Sequence, residues 1–413
     1  MAAVAGYNTR SVQARFRKKD PHGSLIMPLY DTVAFEADTA ADLEASFRGR
    51  RPAHAYSRIS NPTVEFFEQK LKDFSGASAV TAVASGMSAI ASVLLAIAGS
   101  GDNIVTTKHI FGNTFSLLTG VLAQWGLQTI FADLTNVASV EQSVTEKTRA
   151  VFLETITNPG LEVADLSALG RLCRRKNILL VADTTLTPPY LLDAPHFGVN
   201  IEVLSSTKYI SGGGTTLGGA VLDYGSYDWR SNPHLRAAYQ KFGPNALSGV
   251  LKTKLCRDFG NILSPHNAYM QSLGLDTLAM RAALSCASTL ALAKFLQSHP
   301  LVRRVNYPGL AEHPACTVAQ KQFPRGAGAL LTFELETPEK CFSFMDQLKL
   351  IRRATNLNDN KTLIIHPAST IFCEYTPARR LEMGVTDTLL RLAVGIEDLA
   401  DLQEDLQQAL EAV

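Results

Sequence analysis

The sequence Ala79-Val80-Thr81-Ala82-Val83-Ala84-Ser85-Gly86-Met87-Ser88 decides the fold class. Its first six residues are apolar or β-branched and predict a short buried strand. The last four predict a tight turn that leads into a helix rich in Ala, Ile and Leu. A strand, a tight turn and a helix in this order are the repeating unit of an α/β protein.

Five more short apolar runs continue this pattern along the chain. They alternate with stretches long enough for the helices of βαβ units, and they cover residues 103–107, 129–132, 150–154, 178–183 and 203–206. Such runs predict a mostly parallel central sheet with helices on both faces. A further helix is predicted from Asn61-Pro62 up to Gly76, because apolar residues between them lie on one face.

Three regions are predicted along the chain. Residues 1–60 have little periodicity and predict an extended N-terminal arm, and residues 61–262 hold the α/β pattern. Beyond them a long Ala- and Leu-rich helix over 275–296, an alternating strand over 329–335 and a terminal helix over 398–412 follow. These predict a smaller α+β domain over residues 263–413.

The composition argues against nucleic acids and membranes as binding partners. A length of 413 residues allows a large core, and 39 Lys and Arg against 38 Asp and Glu give a net charge of +1. Without a basic cluster we expect neither a nucleic-acid nor an anionic-membrane surface. The longest apolar stretch, residues 89–98, is shorter than the roughly 20 residues of a membrane-spanning helix.

The N-terminal sequence and the cysteine pattern predict a cytoplasmic location. The first 20 residues lack the apolar core of a signal peptide and become basic at Arg15, Arg17, Lys18 and Lys19. Six scattered cysteines without a Cys-x-x-Cys pair favour reduced thiols over a disulfide framework. His313 and Cys316 stand alone at a metal-ligand spacing, so no metal site is expected.

A candidate anion site lies at the turn Ser85-Gly86-Met87. It follows a strand and opens a helix, where main-chain N–H groups and the helix dipole favour a phosphate. Small residues allow an anion to approach the backbone. An ordinary βα turn is the alternative reading of this turn alone.

A candidate carboxylate lies at Asp183, at the end of the apolar run 178–183. A buried carboxylate at this edge needs a cation or a hydrogen-bond donor. It could bind a metal, pair with a protonated heterocyclic nitrogen, or accept a local hydrogen bond as a cap. From this residue alone the cap or local hydrogen bond is favoured.

A candidate reactive amine lies at Lys208 in the sequence SSTKY of residues 205–209. A lysine beside apolar strand residues suits Schiff-base formation, and a solvated loop lysine is the alternative. The glycines that follow, Gly212 to Gly214, fit neither the dinucleotide nor the nucleotide-phosphate loop pattern. An anion site, a strand-end carboxylate and an amine together fit the phosphate, ring nitrogen and aldehyde of pyridoxal phosphate.

Seven ordered stretches resemble the Cys/Met-metabolism (trans-sulfuration) pyridoxal-phosphate enzymes over nearly the whole chain. They are YSRISNPT (56–63), ASGMSA (84–89), ETITNP (154–159), SSTKY (205–209), SPHNAY (264–269), HPAST (366–370) and RLAVGIED (391–398). The resemblance implies a fold-type I pyridoxal-phosphate-dependent transferase, with residues 61–262 as the cofactor-binding domain.

The resemblance also implies roles for residues that hold the cofactor. Lys208 would bind it covalently and move protons, and Asp183 would keep the pyridine nitrogen protonated. The phosphate would be bound by Gly86, Met87, Ser205 and Thr207 of one subunit and by Tyr56 and Arg58 of its neighbour. A homo-oligomer follows, and we expect a tetramer built from dimers with shared active sites.

The substrate residues follow from the same resemblance. Arg391 would pair bidentately with the α-carboxylate, assisted by Asn158 and Asn356. Phe111 stands where the family usually stacks a tyrosine on the cofactor ring, so the stacking face is kept and the phenol is lost. The chain therefore lacks the hydroxyl that could transfer a proton or activate the leaving group at this position.

Within the family the chain looks most like the O-acetylhomoserine sulfhydrylases. The features are Asn356, the segment Asp228-Trp229, and Gly243-Pro244 ahead of a long insert before Ser264. Asn113, where methionine γ-lyases typically carry a cysteine, counts against that activity. The expected reaction is γ-substitution on O-acetyl-L-homoserine by sulfide or a small thiol, giving homocysteine or methionine. A pyridoxal-phosphate γ-lyase acting on cystathionine or methionine, a cystathionine γ-synthase and a non-catalytic relative remain alternatives.

Overall fold

The structure is a computed structural model that describes residues 6–14 and 20–413. The basic residues Arg15, Arg17, Lys18 and Lys19 lie outside the described residues. The strands are β1 (Ala79–Val83), β2 (Asn103–Thr106), β3 (Gln128–Phe131), β4 (Thr148–Glu154), β5 (Leu179–Asp183), β6 (Ile201–Leu204), β7 (Gly219–Asp223), β8 (Arg304–Asn306), β9 (Leu330–Glu334), β10 (Arg352–Arg353), β11 (Leu363–Ile365) and β12 (Leu389–Ala393).

The helices are distributed along the whole described chain. In chain order they are α1 (Tyr7–Val12), α2 (Ala40–Phe47), α3 (Pro62–Ser75), α4 (Gly86–Ile97), α5 (Gly112–Ser116), α6 (Leu122–Gln124), α7 (Val137–Ser143), α8 (Leu166–Lys176), α9 (Arg236–Phe242), α10 (Ala246–Val250), α11 (Cys256–Phe259), α12 (Pro265–Ser298), α13 (Cys316–Gln322), α14 (Pro338–Gln347), α15 (Pro377–Glu382) and α16 (Leu399–Glu411). Single π-helical turns at Leu117–Val121 and Leu251–Leu255 precede α6 and α11.

Two compact units divide the chain. Unit 1 consists of Met1–Ala98, Val203–Ser211 and Thr215–Thr277, and unit 2 consists of Gly99–Glu202, Gly212–Gly214 and Leu278–Val413. The predicted boundaries after residues 60 and 262 stay a prediction. Within the stretch predicted as an extended arm lie α1 and α2, and the Thr39 hydroxyl caps α2 by accepting the Asp42 N–H at 3.1 Å.

The predicted helix after Asn61 is confirmed as α3 of unit 1. The Asn61 side chain accepts the Thr63 N–H at 2.9 Å, and Gly76 ends the helix in the left-handed region at φ 77°. Phe67, Leu71 and Phe74 on its apolar face are fully buried.

Unit 1 also holds the predicted strand, turn and helix as β1 and α4. Strand β1 pairs antiparallel with β7, from Ala79 opposite Asp223 to Val83 opposite Gly219. The sequence did not predict β7, because its five residues follow directly after a glycine-rich segment. Gly219 is required there, since a Cβ at this position would collide with the Ser85 carbonyl group.

Unit 2 contains four parallel strands in the order β5-β4-β2-β3. Their bounds confirm the predicted runs to within two residues at each end. Strands β4 and β5 are in register from Ala150 opposite Leu179 to Glu154 opposite Asp183. The parallel direction brings the carboxyl ends of these strands, with their polar residues, to one edge.

A second sheet in unit 2 has the order β10-β11-β12-β9-β8. It is antiparallel except for β10 with β11, and its central strand β12 carries Arg391 between Ile365 of β11 and Thr332 of β9. Strand β9 and helix α16 correspond to the predicted elements at 329–335 and 398–412. Strands β8, β10 and β11 have two or three residues each, too few for a periodic signal.

Helix α12 is the longest helix of the described residues. It begins at Pro265, ten residues before the predicted start at 275, and has 34 residues. By length and composition it could cross a membrane, and half of its most apolar 18-residue window is buried inside the structure. Long core helices of soluble proteins have the same properties, so this is weak evidence for a membrane span.

Candidate active site

The predicted phosphate turn of unit 1 lies at the start of α4. The Ser85 hydroxyl caps the helix by accepting the Ser88 N–H at 3.1 Å. Gly86 lies against Ser205, and a Cβ at Gly86 would be 2.7 Å from the Ser205 Cβ and 3.0 Å from its Cα. The structure thus brings Gly86, at the start of α4, against Ser205 in the loop after β6, and such an approach of small residues suits the predicted phosphate site.

Thr207 and Lys208 continue this second loop. The Thr207 hydroxyl accepts the Gly218 N–H at 3.0 Å and donates to the Gly218 carbonyl oxygen at 3.2 Å, which fixes its orientation. Lys208 is half-buried, and its N–H donates to the Ser205 carbonyl oxygen at 3.3 Å. Lys208 is therefore held in a tight turn directly after the predicted phosphate residues.

Tyr56 and Arg58 lie on the surface of unit 1. The Arg58 guanidinium carbon is 5.4 Å from the centroid of the Tyr56 ring, and Nη1 donates to the Arg257 carbonyl oxygen. Both side chains are exposed. In the described part of the chain neither hydrogen-bonds to Gly86, Ser205 or Thr207.

Two carboxylates end the adjacent strands β4 and β5 of unit 2. Asp183 Oδ1 accepts the Thr185 N–H at 2.9 Å, so the local hydrogen bond expected from this residue alone is present. Burial raises the pKa of Asp183, and the Thr185 hydrogen bonds offset part of this effect. A cation beside Asp183 would favour its ionised form, as the nitrogen-partner interpretation requires.

Glu154 is the second carboxylate and was not among the predicted site residues. Burial, followed by the negative charge of Asp183, raises the pKa of Glu154 to about 8. Its Oε1 accepts the Phe111 N–H at 2.6 Å, and its Oε2 accepts the Asn158 N–H at 3.0 Å. The signal that could have found it, an acidic residue ending an apolar strand, is the one that identified Asp183.

Arg391 is buried in the centre of the second sheet, with 2% of its surface exposed. Its Nη1 donates to Asn158 Oδ1 at 3.1 Å, and its Nη2 donates to the carbonyl oxygens of Thr355 at 3.0 Å and Asn356 at 3.2 Å. Nε has no hydrogen-bond partner among the described residues. Burial lowers the pKa of Arg391 to about 10.

A buried guanidinium without a carboxylate is costly unless an anion binds it. In residues 6–14 and 20–413 no carboxylate forms an ion pair with Arg391. Its surroundings provide only neutral acceptors, so the site fits a ligand carboxylate. Asn356 contributes its carbonyl oxygen, while its side-chain amide donates to Asp359 Oδ2 at 2.9 Å.

Phe111 lies directly before α5 and is half-buried. Its main-chain N–H bonds to Glu154, which fixes the position of the residue at the end of the loop after β2. The neighbouring Gly112 carbonyl oxygen accepts the Tyr375 hydroxyl at 3.0 Å. Unit 2 therefore holds Phe111, Asn158 and Arg391 in one hydrogen-bonded arrangement around Glu154.

Comparison with known proteins identifies the family. The model of the Cys/Met metabolism PLP-dependent enzymes matches residues 8–411. The chain belongs to this family. Its members use pyridoxal phosphate (PLP). The small-residue turn at Gly86 fits a phosphate, and the Arg391 guanidinium, which has no carboxylate partner among the described residues, fits an amino-acid carboxylate.

Curated relatives of the family differ in their reactions. The L-methionine γ-lyase of Pseudomonas putida is 34% identical over 411 residues, which cover 99% of this chain and 98% of the relative. The O-succinylhomoserine sulfhydrylase of Pseudomonas aeruginosa is 34% identical over 99% of this chain and 96% of its own length. The same sequence identity to this chain, 34%, is therefore found for a lyase and for a sulfhydrylase.

Solved structures give the same family. A Campylobacter jejuni protein assigned as an O-acetylhomoserine (thiol)-lyase has a TM-score of 0.94 and 31% identity, covering 98% of this chain and all of its own. Its crystal structure contains N'-pyridoxyl-lysine-5'-monophosphate. The O-acetylhomoserine sulfhydrylase of Wolinella succinogenes has a TM-score of 0.78 and 48% identity, covering 86% of this chain and 99% of its own.

These findings confirm four predictions made from the sequence. The chain is an α/β protein of fold type I with a mixed sheet, it belongs to the predicted family, it is an enzyme, and its cofactor is PLP. Its reaction is of the γ-elimination or γ-substitution class of these relatives.

Proposed function

We propose that the protein catalyses γ-substitution on O-acetyl-L-homoserine by sulfide or a small thiol, forming homocysteine or methionine. The observation that carries the proposal is Arg391, a buried guanidinium whose hydrogen-bond partners among the described residues are all neutral. It is suited to an α-carboxylate, which all amino-acid substrates of this class share. The 48% identity to an O-acetylhomoserine sulfhydrylase supports the choice of ester.

In this proposal the residues of unit 1 hold the cofactor. Lys208 binds the cofactor covalently through its side-chain amine. After the substrate has released this amine, it moves protons to and from Cα and Cβ of the substrate. The phosphate is bound at the start of α4 by Gly86 and Met87, and by Ser205 and Thr207. PLP supplies an electron sink that makes these carbon-bound protons acidic.

Residues of unit 2 orient the ring and the substrate. Asp183 keeps the pyridine nitrogen protonated. In the described structure its carboxylate accepts hydrogen bonds only from Thr185, so it can also pair with a protonated ring nitrogen. Phe111 covers one face of the ring. Arg391, with Asn158 and the main chain of Asn356, binds the α-carboxylate and so orients Cγ for attack by the thiol.

The γ-lyase reaction is the second candidate. An L-methionine γ-lyase matches 99% of this chain at 34% identity, so the fold and the general site serve either outcome. Asn113 argues for substitution, because it is an exposed amide at the position where methionine γ-lyases typically have a cysteine. A cystathionine γ-synthase would use the same site with a bulkier thiol.

The deciding experiment measures products. Purified holoenzyme is given O-acetylhomoserine, O-succinylhomoserine, cystathionine and methionine, each with and without sulfide or methanethiol, and homocysteine, methionine and 2-oxobutyrate are quantified. We expect homocysteine from O-acetylhomoserine with sulfide, and 2-oxobutyrate as a minor product. Ready cleavage of cystathionine or methionine with no thiol transfer to either ester would establish the lyase instead.

We also propose the assembly and the location. Tyr56 and Arg58 are exposed and do not hydrogen-bond to the phosphate residues of their own chain, which supports a role in the site of a neighbouring subunit. A homotetramer of dimers with shared sites, acting on small molecules in the cytoplasm, is the proposed form. Cofactor binding is proposed for residues 61–262 and the C-terminal domain for residues 263–413.

A further inference from the structure

Glu154 connects two loops of unit 2 that carry proposed site residues. It ends β4, is 7% exposed, and uses one carboxylate oxygen for each of two main-chain N–H groups. One donor is Phe111 in the loop after β2, and the other is Asn158 in the loop after β4. Each oxygen therefore fixes a different loop.

The connection continues from Asn158 to Arg391. The Asn158 main chain is bonded to Glu154, and its side-chain oxygen accepts Arg391 Nη1 at 3.1 Å. Of the three acceptors around the Arg391 guanidinium, this is the only side chain among the described residues. The direction of the guanidinium thus depends on where Glu154 places residue 158.

We propose that Glu154 is a positioning residue that sets the affinity for the substrate α-carboxylate by fixing Asn158 and, through it, the Arg391 guanidinium. This inference rests on the proposed function, in which Arg391 binds that carboxylate. Glu154 itself touches neither substrate nor cofactor in the proposal. Its chemistry is that of an acceptor for two N–H groups.

Only a carboxylate of this length satisfies both donors. Glutamine has the same length, but its amide NH2 group would face one of the two N–H groups and lose that bond. Aspartate is one methylene shorter. Burial raises the pKa of Glu154, and the negative charge of the adjacent strand-end residue Asp183 raises it further. A cation paired with Asp183 would favour the ionised, doubly accepting form.

The test is ligand binding by holoenzyme. L-norvaline has the α-carboxylate but no γ-leaving group, and its binding is followed by the cofactor absorbance. We expect Glu154→Gln to raise the dissociation constant of L-norvaline about 5- to 10-fold, since one buried hydrogen bond is lost. The KM for sulfide should be unchanged. Wild-type affinity in a folded Glu154→Gln holoenzyme would overturn the inference.

Asp405→Asn is the matched control. Asp405 is 5% exposed and accepts the N–H groups of Lys349, Leu350 and Ile351 at 2.8 to 3.0 Å, and it forms no hydrogen bond with Asn158 or Arg391 in the described structure. Its replacement should lower the thermal midpoint while L-norvaline binds as in wild type. Equal weakening by both variants would assign Glu154 to general stability and overturn the inference.

Two further variants keep the inference falsifiable. Asn158→Ala removes the side-chain acceptor of Arg391 but keeps the main-chain N–H that bonds to Glu154. It should therefore weaken the binding of L-norvaline about as much as Glu154→Gln does. Unchanged affinity in this variant overturns the inference even where Glu154→Gln does not fold. In the double variant the two effects should not add, because they act through one contact. If Arg391→Lys leaves L-norvaline affinity unchanged, the proposed function itself fails.

Discussion

Gly86 and Ser205 lie so close together that a Cβ at Gly86 would be 2.7 Å from the Ser205 Cβ. One residue begins α4, and the other follows β6. Their approach places the N-terminal turn of a 12-residue helix directly beside the loop that carries Thr207 and Lys208. In unit 1 the proposed phosphate site therefore depends on the absence of a side chain at residue 86.

Gly86→Ala should weaken the binding of the cofactor more than it lowers the stability of the fold. The new methyl group forces α4 or the Ser205 main chain to move, which costs about 1–3 kcal/mol of stability. We expect at least about a 10-fold rise in the dissociation constant of PLP, because the movement separates the two halves of the phosphate site. Equilibrium dialysis and thermal denaturation measure the two effects. Gly120→Ala is the control, since a Cβ there meets nothing within 4 Å.

Lys208 should be the residue that binds the cofactor covalently. The purified protein should be yellow, and borohydride should fix a pyridoxyl group that peptide mapping finds on Lys208. Lys208→Ala should fold with a similar thermal midpoint and lose turnover. A pyridoxyl group on any other lysine would contradict the assignment.

Arg58→Ala should inactivate the enzyme through the neighbouring subunit. The reason is the exposed position of Arg58, which leaves its charge available to another chain. Mixing inactive Arg58→Ala with inactive Lys208→Ala chains should restore part of the activity, because some hybrid sites then contain both wild-type residues. Absence of recovery after subunit exchange has been demonstrated would count against a shared site.

Arg391→Lys should impair every amino-acid substrate alike. The charge is kept, but the planar fork that binds a carboxylate with two parallel hydrogen bonds is lost. We expect kcat/KM for O-acetylhomoserine to fall about 30- to 100-fold, by the energy of a buried charged hydrogen bond. Arg149→Lys, at an ion pair with Asp102, should leave kcat/KM unchanged.

The ion pair of His109 with Glu162 should make stability depend on pH. Nδ1 of His109 lies 2.8 Å from Glu162 Oε1, and this hydrogen bond raises the pKa of the imidazole. The pair therefore contributes to stability below the unfolded pKa of about 6.5 and ceases to do so as the pH rises through the folded pKa.

Thermal denaturation of wild type and Glu162→Gln tests this sign. The difference between them should be larger at pH 5.5 than at pH 9 and should stay below about 1 kcal/mol, since both side chains are about one-third exposed. Glu141→Gln, which removes surface pairs with Arg175 and Lys176, should show no such change over this range. An equal difference at both pH values would refute the prediction.

Sequence predicted the elements whose decisive residues are neighbours in the chain. Asn61, Pro62 and Gly76 mark the ends of α3, and Ser85-Gly86 marks the passage from β1 to α4. The hydrogen-bond acceptors around Arg391 could not be predicted from such local signals, because they lie at residues 158, 355 and 356, far from Arg391 in the chain. Only the fold shows that they are all uncharged.

Glu154 illustrates the same limit. An acidic residue at the end of an apolar strand is a local signal that marks Glu154 as a candidate, but it does not show that this glutamate holds two loops. Its function in the hydrogen-bond arrangement depends on Phe111, which belongs to a different βα loop. Long-range hydrogen bonds to main-chain groups leave no pattern in the composition of either partner.

The antiparallel pairing of β1 with β7 has a consequence for synthesis on the ribosome. Five strands, β2 to β6, separate the two in the chain, so β1 leaves the ribosome long before its partner. Until residues 219–223 have been made, one edge of β1 exposes unpaired main-chain groups, a template for wrong pairing. A nascent chain stalled before β7 should therefore bind chaperones more strongly than one stalled after it.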